Sequence, residues 1–303
     1  MDNENNKRFW HRLYGHRVGR WGIAILLLYS FFALAAPLLS HYSPVDTDLL
    51  SIRQPPSLQH WFGTDELGRD IYSRLLYGGR VSLLVGFASV FLATTIGLCY
   101  GLMSGYAGGL LDNLCMRLVD GLLSLPTLVM VIALQSLGNQ GLWSVVLVIA
   151  FTTWMQTARL IRTEFLVIKQ KPFVKAALAS GSTQKNVVRR HILPNCLPSL
   201  VVLATLNMGH AIITEAALSF LGLGIPPYQP SWGNMLMGGQ RSILAGCWWI
   251  TLFPGLAIVS TVLAVNFVGD AIRDALDPLN QQQRRNSTKT GSDSLDSSKL
   301  LGN

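Results

Sequence analysis

The chain has 303 residues, half of them hydrophobic and only 13% charged, with a formal net charge of +8. An ordinary soluble domain is about 25% charged, so this composition argues against soluble domains of the same total length. Long stretches contain no charge and the connecting stretches contain many, as expected where a charge at the bilayer centre costs roughly 2.5–3.5 kcal/mol on insertion scales. We predict an all-α integral membrane protein, in which the basic residues mark cytoplasmic loops and not a nucleic-acid surface.

Six apolar stretches follow in chain order, each long enough to cross a bilayer in about 20 residues. The predicted transmembrane helices are 21–40, 81–104, 118–137, 142–161, 199–222 and 248–269. A cleaved signal peptide is the competing interpretation of the first, because Ala33-Leu34-Ala35 resembles a cleavage site. Its apolar run exceeds the usual length of about 7–15 residues for a signal peptide, so a retained span is favoured.

The connecting stretches have features of their own. Residues 41–80 are predicted to form a polar external loop that ends in an amphipathic helix near the membrane surface. A turn at 138–141 separates the third and fourth spans. Residues 231–247 form a half-apolar return segment, and the Ser-, Asn- and Gln-rich tail at 279–303 is predicted to be disordered.

Lysine and arginine are distributed asymmetrically between the two sides of the predicted bundle. With the N-terminus inside, the cytoplasmic segments 1–20, 105–117, 159–191 and 270–303 hold 19 of the 24, and the outside segments 41–80 and 225–247 hold 5. This asymmetry predicts that both termini are cytoplasmic. The predicted organisation is a cytoplasmic segment at 1–20, a first transmembrane helix at 21–40, an external loop at 41–80, a transmembrane core at 81–278 and a cytoplasmic tail at 279–303.

The sequence carries no motif for covalent or hydrolytic chemistry. It lacks a G-x-x-x-x-G-K-[ST] phosphate loop, H-E-x-x-H and G-x-S-x-G. Its six histidines do not cluster at metal-ligand spacing, and its four cysteines show no C-x-x-C. These observations argue against an enzyme and predict no cofactor and no metal in this chain.

Residues 164–198 form a long basic connection between two predicted spans. Ala176 and Ala177 predict a compact helix, Gly181 interrupts it, and Pro194 is expected to stop the following basic helix before the next span. From the residues alone, a docking element for another protein and an ordinary positive-inside loop both remain open.

The spacing of this segment resembles the "EAA" coupling loop of ABC importer permeases. The matching positions are Ala176, Ala177, Gly181, Leu193 and Pro194. Two positions depart, since Lys175 stands where the family usually has Glu and His191 where the general pattern has Ile. Residues 62–70, 218–236 and 269–278 are similar to further signatures of the "C-type" permeases in the peptide/nickel branch.

The resemblance implies a type I ABC importer permease with six transmembrane helices in the bacterial cytoplasmic membrane. It would form half of a pathway for peptides or a related small solute such as nickel, a metallophore or glutathione. The implied partners are membrane lipid, a second permease subunit, two ATPase subunits that bind ATP, and an extracytoplasmic solute-binding protein. Coupling to the ATPases is assigned to Lys175, Ala176, Ala177, Gly181, Leu193 and Pro194. The alternative is a self-sufficient secondary transporter or channel, which would need no docking loop.

Polar side chains also lie inside the fifth predicted span. Asn207, His210, Thr214 and Glu215 fall within about 140° of one helical face at 100° per residue. An ionisable group within a span is a functional hypothesis by default, so this face is a candidate lining of the translocation path. Hydrogen bonding between helices is the alternative.

Two other patterns leave alternatives open. Gly97, Gly101 and Gly105 repeat every fourth residue, which favours close helix packing within the chain over contact with another subunit. The charged residues at 65–70 are expected to brace the external helix, with contact to a binding protein as the alternative.

Overall fold

The computed structural model describes residues 16–276, which are mostly helical. The first half contains α1 (Arg17–Leu34), α2 (Ala36–Leu39), a 3-10 turn (Leu49–Ser51), α3 (Ile71–Ala107), α4 (Gly109–Leu123) and α5 (Thr127–Leu137). The second half contains α6 (Leu142–Lys169), α7 (Pro172–Ala179), α8 (Gln184–Val187), a π-helical turn (Val188–Ile192), α9 (Leu193–Phe220), α10 (Trp232–Met235), α11 (Gly239–Leu244) and α12 (Trp249–Leu276). Extended pairing within 16–276 is limited to one bridge between Thr64 and Asp70.

Five helical segments among the described residues are long and apolar enough to cross a membrane. They are α1, α3, α6, the continuous rod from α8 through α9, and α12. Helices α4 and α5 add a sixth if this pair, bent by 88°, is counted as one broken span. On that count the predicted number of six is confirmed. The predicted segment 1–20 falls mainly, and the predicted tail 279–303 wholly, outside the described residues.

Helix α3 is longer than predicted and begins earlier. Asp70 caps its first turn by accepting hydrogen bonds from the Ser73 backbone N–H at 2.8 Å and the Ser73 hydroxyl at 2.7 Å. No break follows before Ala107, so the helix is about 55 Å long at 1.5 Å per residue. The separate amphipathic surface helix expected at the end of 41–80 is therefore wrong. Those residues are the first turns of α3, and Ile71 and Arg74 are buried.

The third span is broken, contrary to the prediction of one continuous helix at 118–137. Helix α4 ends at Leu123 and α5 begins at Thr127, after Pro126. Proline has no N–H to continue the hydrogen-bond ladder, and it pushes the preceding residue away from helical backbone angles. The chain turns by 88° at this point.

Pro194, in contrast, does not stop a helix. The rod runs from Gln184 to Phe220, and Pro194 lies in the first turn of α9. The preceding π-helical turn lets the Leu193 N–H donate to the Val188 carbonyl, five residues back. The wider turn absorbs the proline ring, which would clash with the carbonyl four residues back in a regular α-helix. The expected break before the fifth span is therefore wrong.

Glycines set the closest helix contacts. A Cβ added at Gly101 of α3 would lie 2.5 Å from the Ala158 carbonyl oxygen of α6, and one at Gly105 would lie 2.7 Å from the Phe165 ring. The glycine repeat of α3 thus serves packing within the chain. Similarly, a Cβ at Gly22 of α1 would lie 2.6 Å from the Ala264 carbonyl oxygen of α12. Helix α1 is part of the bundle, as expected for a retained span.

Candidate functional site

Helix α7 is a short helix outside the predicted spans, and it has one fully buried side chain. Val174 is fully buried in a cluster with Phe165 of α6 and with Val187 and Ile192 of the rod that follows. The remaining surface of α7 is open, because most of the other residues of this helix, including Lys175, are exposed. The loop therefore has a fixed position and a free outer face.

Gly181 terminates this helix in a left-handed conformation, with a φ of 83°. Its N–H donates to the Leu178 carbonyl at 3.0 Å, and the Ser182 N–H donates to the Ala177 carbonyl at 3.1 Å. These two bonds form a Schellman motif, in which glycine is favoured because it has no Cβ to strain. A Cβ at Gly181 would nevertheless meet open space within the chain. The space outside this turn is therefore free for another molecule.

The predicted coupling residues fall into two groups along the chain. Ala176 is exposed and Ala177 half-buried on α7, followed by Gly181 in the turn. Leu193 and Pro194 lie at the start of α9, on the rod that carries Val187 and Ile192. The hydrophobic cluster around Val174 joins the two groups.

A charged cluster at the same end of the bundle has no counterpart in the predictions. The Arg162 guanidinium of α6 donates from Nη2 to Asp112 Oδ2 at 2.6 Å and from Nε to Asp112 Oδ1 at 3.1 Å. The Ser104 hydroxyl of α3 donates to the same carboxylate at 2.5 Å. Three helices, α3, α4 and α6, therefore meet at Asp112. Since Asp112 and Arg162 are 50 positions apart, no local pattern indicates the pair.

Three of the four predicted path residues line one cavity of about 340 Å³ between α5, α6 and α9. Asn207, His210 and Thr214 contribute from α9. The lining from α5 and α6 comprises Thr127, Leu128, Val131, Ile149, Thr152, Thr153 and Gln156. A cavity of this volume lies at the lower end of the range for small-molecule sites, and most of its polar lining is uncharged.

Glu215, the fourth predicted residue, lies away from this cavity. Its carboxylate is fully buried and accepts hydrogen bonds from the Ser82 hydroxyl at 3.0 Å and the Ser219 hydroxyl at 2.8 Å. The Ser82 hydroxyl also accepts a hydrogen bond from the backbone N–H of Trp232 at 3.2 Å. Glu215 thus links α9 to α3 and α10 through hydrogen bonds, as in the alternative interpretation of hydrogen bonding between helices. It stands about 80° around the helix from Asn207, on the far edge of the predicted arc.

The opposite end of α3 is braced by the charged residues at 65–70. Asp65 accepts from the Leu67 N–H at 2.9 Å and from Arg69 Nε at 2.7 Å. Glu66 accepts from the Ser242 hydroxyl at 3.0 Å, which connects this segment to α11. The carboxylates of Asp65 and Asp70 are mainly engaged within the chain, as the bracing interpretation expects.

Residues 97–281, more than half of the chain, match the protein family described as the binding-protein-dependent transport system inner membrane component. The chain belongs to this family. Residues 6–56 of this inner membrane component also match the N-terminal transmembrane domain of oligopeptide transport permease C.

Two relatives of this inner membrane component come from Bacillus subtilis. The dipeptide transport system permease protein DppC is 40% identical over 269 residues, covering 89% of this chain and 84% of the relative. The oligopeptide transport system permease protein OppC is 39% identical over 267 residues, covering 88% and 87%. A solved structure, the MetNI methionine ABC transporter in an inward-facing conformation, aligns with a TM-score of 0.56 at 20% identity, covering 67% of this chain and 97% of that one. At that identity it shows a shared fold.

Family membership confirms the predicted multi-pass permease of the bacterial inner membrane. The inner membrane component is a transport subunit of an ABC importer, and the alternative of a self-sufficient transporter or channel is not favoured. The predicted ABC permease fold is confirmed as well.

Proposed function

We propose that this permease forms one half of a peptide translocation pathway, with a second permease subunit as the other half. Two ATPase subunits bind and hydrolyse ATP on the side of α7, and an extracytoplasmic binding protein delivers the solute on the opposite side. The naming of DppC and OppC for dipeptide and oligopeptide transport supports a peptide as the solute. The positive-inside distribution supports a cytoplasmic position for α7 and for both termini.

Helix α7 is the observation that carries this proposal. It is anchored through the fully buried Val174 and the half-buried Ala177, its outer face is free, and Gly181 leaves open space beside it. A partner that moves α7 also moves the end of α6 and the rod that carries α9, because all three share one hydrophobic cluster. The rod leads directly to the cavity lined by Asn207 and Thr214, which we propose as part of the pathway.

Gly181→Asn tests the docking role. Asparagine tolerates left-handed backbone better than other non-glycine residues, and its side chain meets open space within the chain. We therefore expect normal membrane insertion. An ATPase surface packed against this turn would meet the new side chain, so solute moved per ATP hydrolysed should fall at least ~10-fold, equivalent to about 1.4 kcal/mol.

Gly246→Asn is the matched control, because Gly246 also has a positive φ (79°) and open space around it, at the other end of the bundle. We expect transport by this variant to stay within about twofold of the unmodified permease, which corresponds to a free-energy difference of less than about 0.5 kcal/mol. Normal coupling in Gly181→Asn would contradict docking at α7.

Thr214→Phe tests the pathway. A phenyl ring at this position occupies much of the cavity between α5, α6 and α9, so peptide uptake should be abolished while the ATPases still bind. Ile213→Phe places the same ring on a neighbouring, 48% exposed position of α9 and should preserve uptake. Equal uptake by the two variants, measured in vesicles with a labelled dipeptide, would exclude this cavity from the pathway.

A further inference from the structure

The loop at 164–198 presents charges of one sign. All six of its lysine and arginine residues are exposed, namely Lys169, Lys171, Lys175, Lys185, Arg189 and Arg190. Its single carboxylate, that of Glu164, is half-buried and accepts a hydrogen bond from the Ser199 hydroxyl at 2.8 Å. Among residues 16–276, none of the six cations has a carboxylate within ion-pair distance.

Lys175 occupies a special position in this surface. It is the only charged residue of α7. On a helix with 100° per residue, Pro172, Ala176 and Ala179 lie on the side opposite the buried Val174. Lys175 flanks this ridge of small residues, so a partner that packs closely on the ridge also covers the Lys175 ammonium.

Covering an ammonium group without a counter-charge is costly. The effective penalty for taking an unpaired ion out of water is several kcal/mol, even after relaxation. No residue described within the chain compensates this charge, so the partner must do so. The other five cations add a field of the same sign, which attracts an acidic surface and repels a basic one.

We propose that α7 fits an acidic groove on the ATPase subunit, with an aspartate or glutamate of the groove facing Lys175. The groove has a shallow apolar floor for the ridge of Pro172, Ala176 and Ala179, and acidic side chains at its rim face the other cations of the loop. This inference rests on the proposed function, because it specifies the chemistry of the partner that docks there.

Anionic lipid is the other source of negative charge, and the geometry disfavours it. Helix α6 continues to Lys169, about 12 Å beyond residue 161, where the predicted span ends. Helix α7 packs back through Val174 against Phe165 and Ile192, so its ridge of small residues, on the opposite side, faces away from the bundle. The attraction of an anionic membrane surface falls off within a Debye length, about 8 Å at physiological ionic strength.

Charge reversal at Lys175 tests the inference in the assembled transporter, reconstituted in nanodiscs of neutral lipid and, in parallel, in nanodiscs with added anionic lipid. Lys175→Glu should weaken ATPase binding at least ~10-fold, since like charges then meet in the groove. Lys175→Arg keeps the charge and should bind within about threefold, a change below 1 kcal/mol. Binding by the unmodified permease should also weaken as salt is raised. Arg241→Glu, at an exposed residue of α11, is the control for a general effect of charge and should bind normally.

A second set of variants tests whether Lys175 faces a carboxylate of the ATPase. Replacing the facing carboxylate of the ATPase with lysine should restore binding to Lys175→Glu, and only to that variant. Unchanged, salt-independent binding by Lys175→Glu would overturn the inference while leaving docking at α7 intact. Binding that follows anionic lipid content and not the charge at 175 would assign the surface to the membrane and overturn it as well. If the unmodified permease bound no ATPase, the proposed function and this inference would both fail.

Discussion

Arg162→Ala is expected to lower the free energy of unfolding of the permease by about 2–4 kcal/mol. Breaking a fully buried ion pair typically costs about 3–5 kcal/mol, because the remaining charge is left without a partner. The expected loss of stability is smaller here because the Arg162 side chain is 29% exposed, whereas that of Asp112 is 8% exposed. After the substitution, the Asp112 carboxylate would retain the Ser104 hydroxyl as a donor but no counter-charge.

Arg159→Ala is the matched control one turn earlier on α6. Arg159 approaches Asp120 only to 3.9 Å, and the two side chains are 58% and 61% exposed. Exposed pairs of this kind contribute about 0–1 kcal/mol, so the control should unfold almost like the unmodified permease. Thermal unfolding in detergent would compare the two variants directly. Equal stability would mean that the Arg162 pair contributes no more than a surface contact.

The Arg162 pair also bears on coupling. Helix α6 carries α7 at its end, and the two hydrogen bonds to Asp112 fix α4 to α6. Helix α4 leads into the sharp bend before α5, which lines the cavity. Since Arg162→Lys retains the charge but loses the bidentate geometry, we expect it to recover stability more fully than the ratio of transport to ATP hydrolysis.

The apolar runs predicted the spans well because the cost of charge in a bilayer acts on composition, which is local. The helix ends depend on contacts that are distant in sequence. Pro126 and Pro194 illustrate this point. One breaks a span and the other sits within a continuous rod, where Val187 and Ile192, before and within the π-helical turn, pack in one cluster with Phe165 of α6. Nothing in the residues around either proline distinguishes the two outcomes.

The candidate site shows the same limit. A helical wheel places Asn207, Thr214 and Glu215 on one broad arc, and the structure places the first two in the lining of the cavity and Glu215 outside it. Which edge of the arc faces α3 depends on Ser82, 133 positions away in sequence. The turn at Gly181, by contrast, is formed by hydrogen bonds within a few residues, so its position could be predicted.

The second large effect is expected at Gly101, where alanine should destabilise the permease by about 1–3 kcal/mol. The added Cβ would lie 2.5 Å from the Ala158 carbonyl oxygen, 2.9 Å from Ile161 Cβ and 3.1 Å from the Arg162 backbone nitrogen. Two of these three atoms belong to the backbone of α6, so no change of rotamer relieves the contact. Helices α3 and α6 would have to separate along the interface that Gly97 and Gly105 also form.

Gly121→Ala makes the same chemical change with the opposite expected sign. Gly121 lies on an exposed position of α4, and a Cβ there would meet open space. Alanine is more favourable than glycine within a helix by about 1 kcal/mol, so this variant should be slightly more stable than the unmodified permease. Both substitutions improve helix propensity equally, so opposite changes in stability would report the close packing at Gly101 and not helix propensity. A stabilised Gly101→Ala variant would show that α3 and α6 move apart at little cost, and a mobile interface of that kind could not transmit motion from α7 rigidly to the cavity.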